Sequence, residues 1–188
     1  MGAATIRRAS SRRYEIIPPG DEVDHVRRVV IGLGSNLGDR EATIAAAIAA
    51  LRAPDLHILR RSPLYETEPI GGPPQGDFLN GAVLLVTSLS AQDLLERCLS
   101  VERSLGRVRS DAERWGPRTI DLDLLWIEGE AVSEGDLEIP HPRLAERTFA
   151  LRPLLDLAPD ATDFRTGIAF STLPAANAPL LKVRDGGR

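Results

Sequence analysis

The stretch Asn80 to Ser88 carries apolar side chains on both faces of an extended chain, with Ala82, Leu84 and Val86 on one face and Val83 and Leu85 on the other. A strand patterned this way leaves no face for water, so it must run through the centre of a sheet that is covered on both sides.

The neighbouring segments provide the rest of that sheet and its cover. Val29 to Leu33 is a short apolar run closed by Gly34-Ser35-Asn36, which reads as a buried strand and a turn. Asp39 then caps a helix in which Ile44, Ile48 and Leu51 recur at helical spacing, and Pro54 stops it near Ala53. Leu56 to Tyr65 reads as one extended strand. Ser90, with Asp93 at the reciprocal capping position, opens a second helix whose stripe is Leu94, Leu95, Cys98, Val101 and Leu105, and Gly106 ends it. Thr119 to Ile127 makes a further strand. The order strand, helix, strand, strand, helix, strand predicts an α+β fold of the ferredoxin-like, split βαβ kind with a C-terminal extension. The 188 residues then divide into a mobile N-terminal extension (1–28) with a break at Pro18-Pro19-Gly20, one compact domain (29–160), and a C-terminal wrap and tail (161–188).

Composition excludes several chemistries. Of 23 Lys+Arg residues only Lys182 is lysine, so a P-loop, which needs a lysine after its glycines, is absent, and a Schiff-base lysine is disfavoured. The single cysteine, Cys98, rules out intrachain disulfides, cysteine-rich zinc sites and C-x-x-C pairs; on the apolar helix stripe it reads as a packed, inert thiol. His25, His57 and His141 are too far apart in sequence for an H-E-x-x-H site. A net charge of −4 gives no general attraction to nucleic acid or anionic membranes, and no apolar run is long enough to span a bilayer. The expectation is a cytoplasmic monomer acting on small molecules, with no nucleic-acid or membrane partner.

The chemistry concentrates in Arg114-Trp115-Gly116-Pro117-Arg118-Thr119-Ile120-Asp121-Leu122-Asp123. Residues i and i+2 of a strand share a face, so Asp121 and Asp123 point the same way with Cβ atoms about 6–7 Å apart, while Ile120, Leu122 and Leu124 face the core. Two adjacent carboxylates repel unless a cation neutralises them, and hard oxygen ligands at this spacing suit Mg²⁺ shared with phosphate oxygens. D-x-D alone would also describe a solvated strand face. Arg107, Arg109, Arg114 and Arg118 shift the balance towards metal and phosphate, because their guanidinium forks match phosphate oxygens.

Other features stay open at this level. Gly34 to Asp39 is a plain turn and cap or an anion-binding turn. Phe78 and Asn80 share a face and are either a core aromatic beside an edge amide or a platform for a flat heterocycle. His141, between two prolines, is structural unless a nucleotide comes near it. Two long loops, Glu66 to Leu79 and Gly106 to Arg118, exceed what connection alone needs.

Taken together, GLGSNLGDR (32–40), YETEPI (65–70), DFLNGAV (77–83), GRVR (106–109), RWGPRTIDLDLL (114–125) and PHPRLAERTFALRPL (140–154) resemble the 6-hydroxymethyl-7,8-dihydropterin pyrophosphokinase family of folate synthesis. The resemblance implies a three-layer ferredoxin-like α/β/α fold, ATP as co-substrate, two Mg²⁺ ions, and pyrophosphate transfer with AMP as leaving group. It implies Asp121 and Asp123 as metal ligands, and Arg107 and Arg118 as catalytic together with them. ATP would be bound by Glu102, Arg107, Arg109, Trp115, Arg118, His141 and Arg147, and the pterin by Thr67, Ile70, Phe78, Asn80 and Phe149. Asp136 and Glu138 depart from the pattern, standing where better-known members carry basic or hydroxyl residues, and Ser110 to Glu113 is a residue longer. A polymerase-palm or nucleotidyl-cyclase domain would also place two aspartates on such a sheet, but it calls for a nucleic-acid groove, against which the acidic balance speaks, or a second catalytic acid. An RNA-recognition module would need more than 4% aromatics.

Overall fold

The computed structural model describes residues 5–10, 13–17, 24–107, 116–180 and 182–184. In chain order the elements are β1 (Thr5–Ser10), β2 (Arg13–Ile17), β3 (Asp24–Ser35), α1 (Arg40–Leu51), β4 (Leu56–Arg61), β5 (Leu64–Thr67) and β6 (Phe78–Thr87). They are followed by α2 (Ala91–Ser104), β7 (Asp121–Ile127), β8 (Val132–Glu134), β9 (Leu137–Ile139), α3 (Thr148–Leu157) and β10 (Lys182–Arg184).

As its two-faced pattern requires, β6 is central, and every residue from Leu79 to Thr87 is buried. β3 pairs antiparallel with β6 on one edge and with β7 on the other. β4 and β5 share the far edge of β6. β2 joins the start of β3, β1 joins β2, and β10 joins β5, giving an eight-stranded sheet among the described residues; β8 and β9 form a separate pair. β1, β2 and the first residues of β3 thus come from the stretch assigned to an N-terminal extension.

Each face of the sheet carries its own core. Val29, Ile31, Leu33, Val83, Leu85, Leu122 and Leu124 pack against Ile44, Ile48 and Leu51 of α1 and Leu94, Cys98 and Val101 of α2. Val30, Ala82, Leu84, Leu125 and Trp126 pack on the opposite face against Leu151, Leu154 and Leu157 of α3 and against Phe170. Pro153 lies inside α3 and removes one helix hydrogen bond, at a cost of about 3 kcal/mol. Burial of those three leucines, at about 2 kcal/mol each, outweighs that loss. Both helix starts read from sequence are made: the Asp39 carboxylate accepts the Ala42 N–H at 3.0 Å, and the Ser90 hydroxyl accepts the Asp93 N–H at 3.1 Å.

One strand differs from its reading. Leu56 to Tyr65 is broken at Ser62-Pro63, where proline has no N–H to give the ladder. The Ser62 hydroxyl substitutes for backbone there, accepting the Ala82 N–H at 2.9 Å, while the Ser62 N–H donates to the Ala82 carbonyl at 2.9 Å. Among the described residues no helix is long and apolar enough to cross a membrane.

Candidate active site

The site begins with an irregularity in β7. Val30 pairs with Trp126 but Ile31 pairs with Leu124, so Leu125 is an extra residue in the β3–β7 ladder. Such a bulge resets which face the following side chains occupy. It lets Leu125 and Trp126 pack under α3 while Asp123 and Asp121, beyond the bulge, emerge on that same α3 face opposite Gly32 and Gly34 of β3. Ile120, Leu122 and Leu124 fill the other face, as the period-two reading requires.

Beyond the first turn of α3 that face is uncovered, and an open cleft results. Its floor is Gly32, Gly34 and Gly81; one wall is Thr67 to Gly71 with Gln75, Phe78 and Asn80; the other is Arg118, Asp121, Asp123, Arg147 and Phe149. The structure therefore brings Thr67, Ile70, Phe78, Asn80, Phe149, Arg118, Arg147 and both aspartates together. Asn80 donates to the Thr67 hydroxyl at 2.7 Å, which leaves its carboxamide oxygen on the side of Gly34. The Arg147 guanidinium lies 5.6 Å from the centre of the Phe149 ring, and its buried Nε makes no hydrogen bond among the described residues.

Two guanidinium groups converge on Asp121: Arg107 Nη1 donates to Oδ1 and Arg118 Nη1 to Oδ2. Arg107 Nη1 also donates to Glu102 Oε1, which accepts the Leu122 N–H at 2.8 Å as well. Glu102 is 1% exposed, so it sits beneath the cleft and bears on it through Arg107 and the β7 backbone. Burial, then the charge of Asp121, pushes the Asp123 carboxyl up to about 7, against the pull of Arg147 and Arg118. His141 stands behind this edge. Its N–H donates to the Leu125 carbonyl at 3.0 Å, and its Nδ1 accepts the Arg143 N–H at 3.2 Å. Burial and then the Arg147 charge lower its pKa, so the ring is neutral near pH 7. Arg109 and Trp115 lie outside the described residues, as do Arg114 and the stretch Ser110 to Glu113.

Sequence reasoning missed the parts that shape the cleft. Gly32 and Gly34 alternate along β3, and the signal was there, since glycine at i and i+2 of a buried strand flattens one face. Asn36, in the sequence one residue of a turn, joins the two walls. Its Nδ2 donates to Gln75 Oε1 at 2.9 Å and to the Gly76 carbonyl at 3.1 Å, while its Oδ1 accepts the Arg118 N–H at 2.7 Å. Arg40 holds the same loop, donating to Glu66 at 2.8 Å and to the Asp77 carbonyl at 2.7 Å.

Among the described residues no three His, Cys, Asp or Glu side chains gather around one point. A metal here would take the Asp121 and Asp123 oxygens and complete its shell with phosphate and water. That donor set fits Mg²⁺, and a dication would offset the mutual repulsion of Asp121 and Asp123.

Comparison with known proteins identifies the family. Residues 30–159 match the family model for 7,8-dihydro-6-hydroxymethylpterin-pyrophosphokinase. A 2-amino-4-hydroxy-6-hydroxymethyldihydropteridine pyrophosphokinase of Methylorubrum extorquens is 48% identical over 134 residues, covering 71% of this chain and 84% of that protein. The enzyme of the same name from Bacillus subtilis is 44% identical over 128 residues, covering 68% and 75%. Among solved structures, a Plasmodium falciparum HPPK-DHPS with pteroate superimposes with a TM-score of 0.62 at 15% identity, over 81% of this chain and 42% of that one. The chain thus spans less than half of that structure, and the likeness is one of fold.

Proposed function

Because the chain belongs to the 7,8-dihydro-6-hydroxymethylpterin-pyrophosphokinase family, we infer that it transfers pyrophosphate from ATP to 6-hydroxymethyl-7,8-dihydropterin, releasing AMP, in folate biosynthesis. The observation that carries the reading is the pair Asp121 and Asp123 on one face of β7, walled by Arg118 and Arg147 and backed by Arg107.

In this reading the pterin ring enters between Phe78 and Phe149, over a floor where Gly34 leaves room for a flat heterocycle. Asn80 and Thr67 meet its polar edge, and the backbone near Ile70 closes the pocket. The hydroxymethyl oxygen then faces the aspartate edge. The triphosphate lies along Arg107, Arg118 and Arg147, with Arg109 and Trp115 from the arginine loop and His141 at the nucleotide end. Arg147 Nε, buried and unbonded, supplies a donor for an anion. Two Mg²⁺ ions held by Asp121 and Asp123 would neutralise phosphate charge and orient the β-phosphorus.

Attack of the hydroxymethyl oxygen on the β-phosphorus forms one P–O bond and breaks the bond to the α-phosphate oxygen. AMP departs with the electron pair, and the hydroxyl proton passes to solvent water. No protein nucleophile is needed, because positioning and charge neutralisation supply the catalysis. Arg107 and Arg118 are held ready by Asp121 and Glu102, so their charge is in place before substrate arrives.

The strand order β7-β3-β6-β4, all antiparallel, with α1 and α2 on one face and α3 on the other, supports a ferredoxin-like α/β/α assignment for residues 29–160. The cleft is formed within one chain and the free thiol is buried, which is compatible with a cytoplasmic monomer. The test is substitution of both aspartates: Asp121→Ala with Asp123→Ala abolishes pterin-dependent AMP formation, and retention of turnover contradicts the reading.

A further inference from the structure

An acid stands beside the Pro140-His141 turn, which the functional reading gives to the nucleotide. Glu138, the middle residue of β9, comes directly before Ile139-Pro140-His141, and its charge reaches His141, which also feels Arg147, Asp121 and Arg143. A nucleoside triphosphate seated at His141 would have this carboxylate three residues away along the chain.

A segment beyond the family match answers it. Residues 162–169 form a tight turn closed by a bridge between Thr162 and Ala169. The Trp126 indole N–H ties the turn to β7 by donating to the Thr162 carbonyl at 2.9 Å. Asp163 shapes it, accepting the Arg165 N–H at 2.8 Å, and Gly167, at φ +72°, closes it by donating its N–H to the Asp163 carbonyl at 2.7 Å. The turn presents Arg165 beside β9: its Nη1 lies 3.2 Å from Glu138 Oε1 and its Nη2 donates to the Pro140 carbonyl at 3.5 Å. A surface ion pair of this kind adds little to stability, on the order of 0–1 kcal/mol, so fold stability is a poor reason for so constrained a turn.

We propose that Arg165 is a positioning residue for the nucleotide: laid across Glu138 and the Pro140 carbonyl, with the Asp163 carboxylate 3.9 Å from its Nε, it offsets the charge of Glu138 beside the Pro140-His141 turn, so that a nucleoside triphosphate there does not face an uncompensated Glu138. The inference deepens the functional reading above and rests on its placing of the nucleotide at His141 and Arg147.

The test is steady-state kinetics on the full chain with Arg165→Ala, Glu138→Gln and the double variant, with ATP and the pterin varied separately. Arg165→Ala raises KM for ATP about threefold at low ionic strength, the size expected of one unmasked charge acting through solvent. kcat and KM for the pterin hold. The rise fades as salt screens the charge, and Glu138→Gln added to Arg165→Ala restores the original KM, which loss of a structural contact would not do. An unchanged KM for ATP in Arg165→Ala, or a rise that persists in high salt and in the double variant, overturns the inference. His141→Ala and Arg147→Ala separate the two levels. If they raise KM for ATP while Arg165→Ala does not, only the role of Arg165 fails; if they too leave it unchanged, the nucleotide is elsewhere and both fail.

Discussion

Gly34 and Asn80 face each other across the β3–β6 ladder so closely that a Cβ on Gly34 would stand 2.9 Å from the Asn80 carboxamide oxygen. The contact is tighter than packing allows, and Asn80 has little freedom to retreat while its amide bonds Thr67. Gly34→Ala therefore displaces the group that meets the pterin edge. The expected outcome is a rise of about tenfold in KM for the pterin, one hydrogen bond's worth, with KM for ATP little changed. Equal rises in both would show that Gly34 shapes more than the pterin floor.

Asp123 carries a charge that the metal-free protein does not want. Its folded-state pKa, about 7, lies above the ordinary 3.8, so its contribution to stability is fully present below about pH 4 and is lost as pH rises through about 7. Asp123→Asn removes that titration. In the presence of a chelator the variant melts about 2–5 °C above the parent at pH 8.5, and the gap narrows at pH 5.5. A gap independent of pH would contradict the electrostatic account.

Glu102 is the buried tie between α2, Arg107 and β7. Glu102→Ala strands the Leu122 N–H and frees Arg107, at an expected cost of about 2–4 kcal/mol by denaturant melts. Glu102→Gln keeps an acceptor for Leu122 but loses the charge on Arg107. It should fold with a smaller loss and show its defect in turnover, and a fully active Gln variant would remove Arg107 orientation from the account.

Cys98 is enclosed against β7, and burial raises its thiol to about 12. A disulfide-exchange reagent at pH 8 should find no reactive thiol in the native protein and one per chain after denaturation. Rapid reaction of the folded protein would mean that the core beside the aspartates opens.

Local patterns made much of this legible before any coordinates. The two-faced run in β6 placed it at the centre, Asp39 and Ser90 marked their helices, and the period of two put Asp121 and Asp123 side by side. What escaped depends on distant partners. Nothing local marks Leu125 as a bulge, since it is an ordinary strand residue whose register is set by β3. Pro63 was visible, but the repair of its gap by the Ser62 hydroxyl needs Ala82 in place. Asn36 acquires its role only when Gln75 and Arg118, far along the chain, arrive beside it. Glu102 carries a nucleotide-site assignment from motif likeness, whereas its burial directs it to Arg107 and the β7 backbone.

The most direct test of the central claim is the identity of the nucleotide product. The full chain with ATP, Mg²⁺ and 6-hydroxymethyl-7,8-dihydropterin should yield AMP in step with pterin consumed, and none when the pterin is left out. Formation of ADP, or AMP release that ignores the pterin, would contradict pyrophosphate transfer at this site.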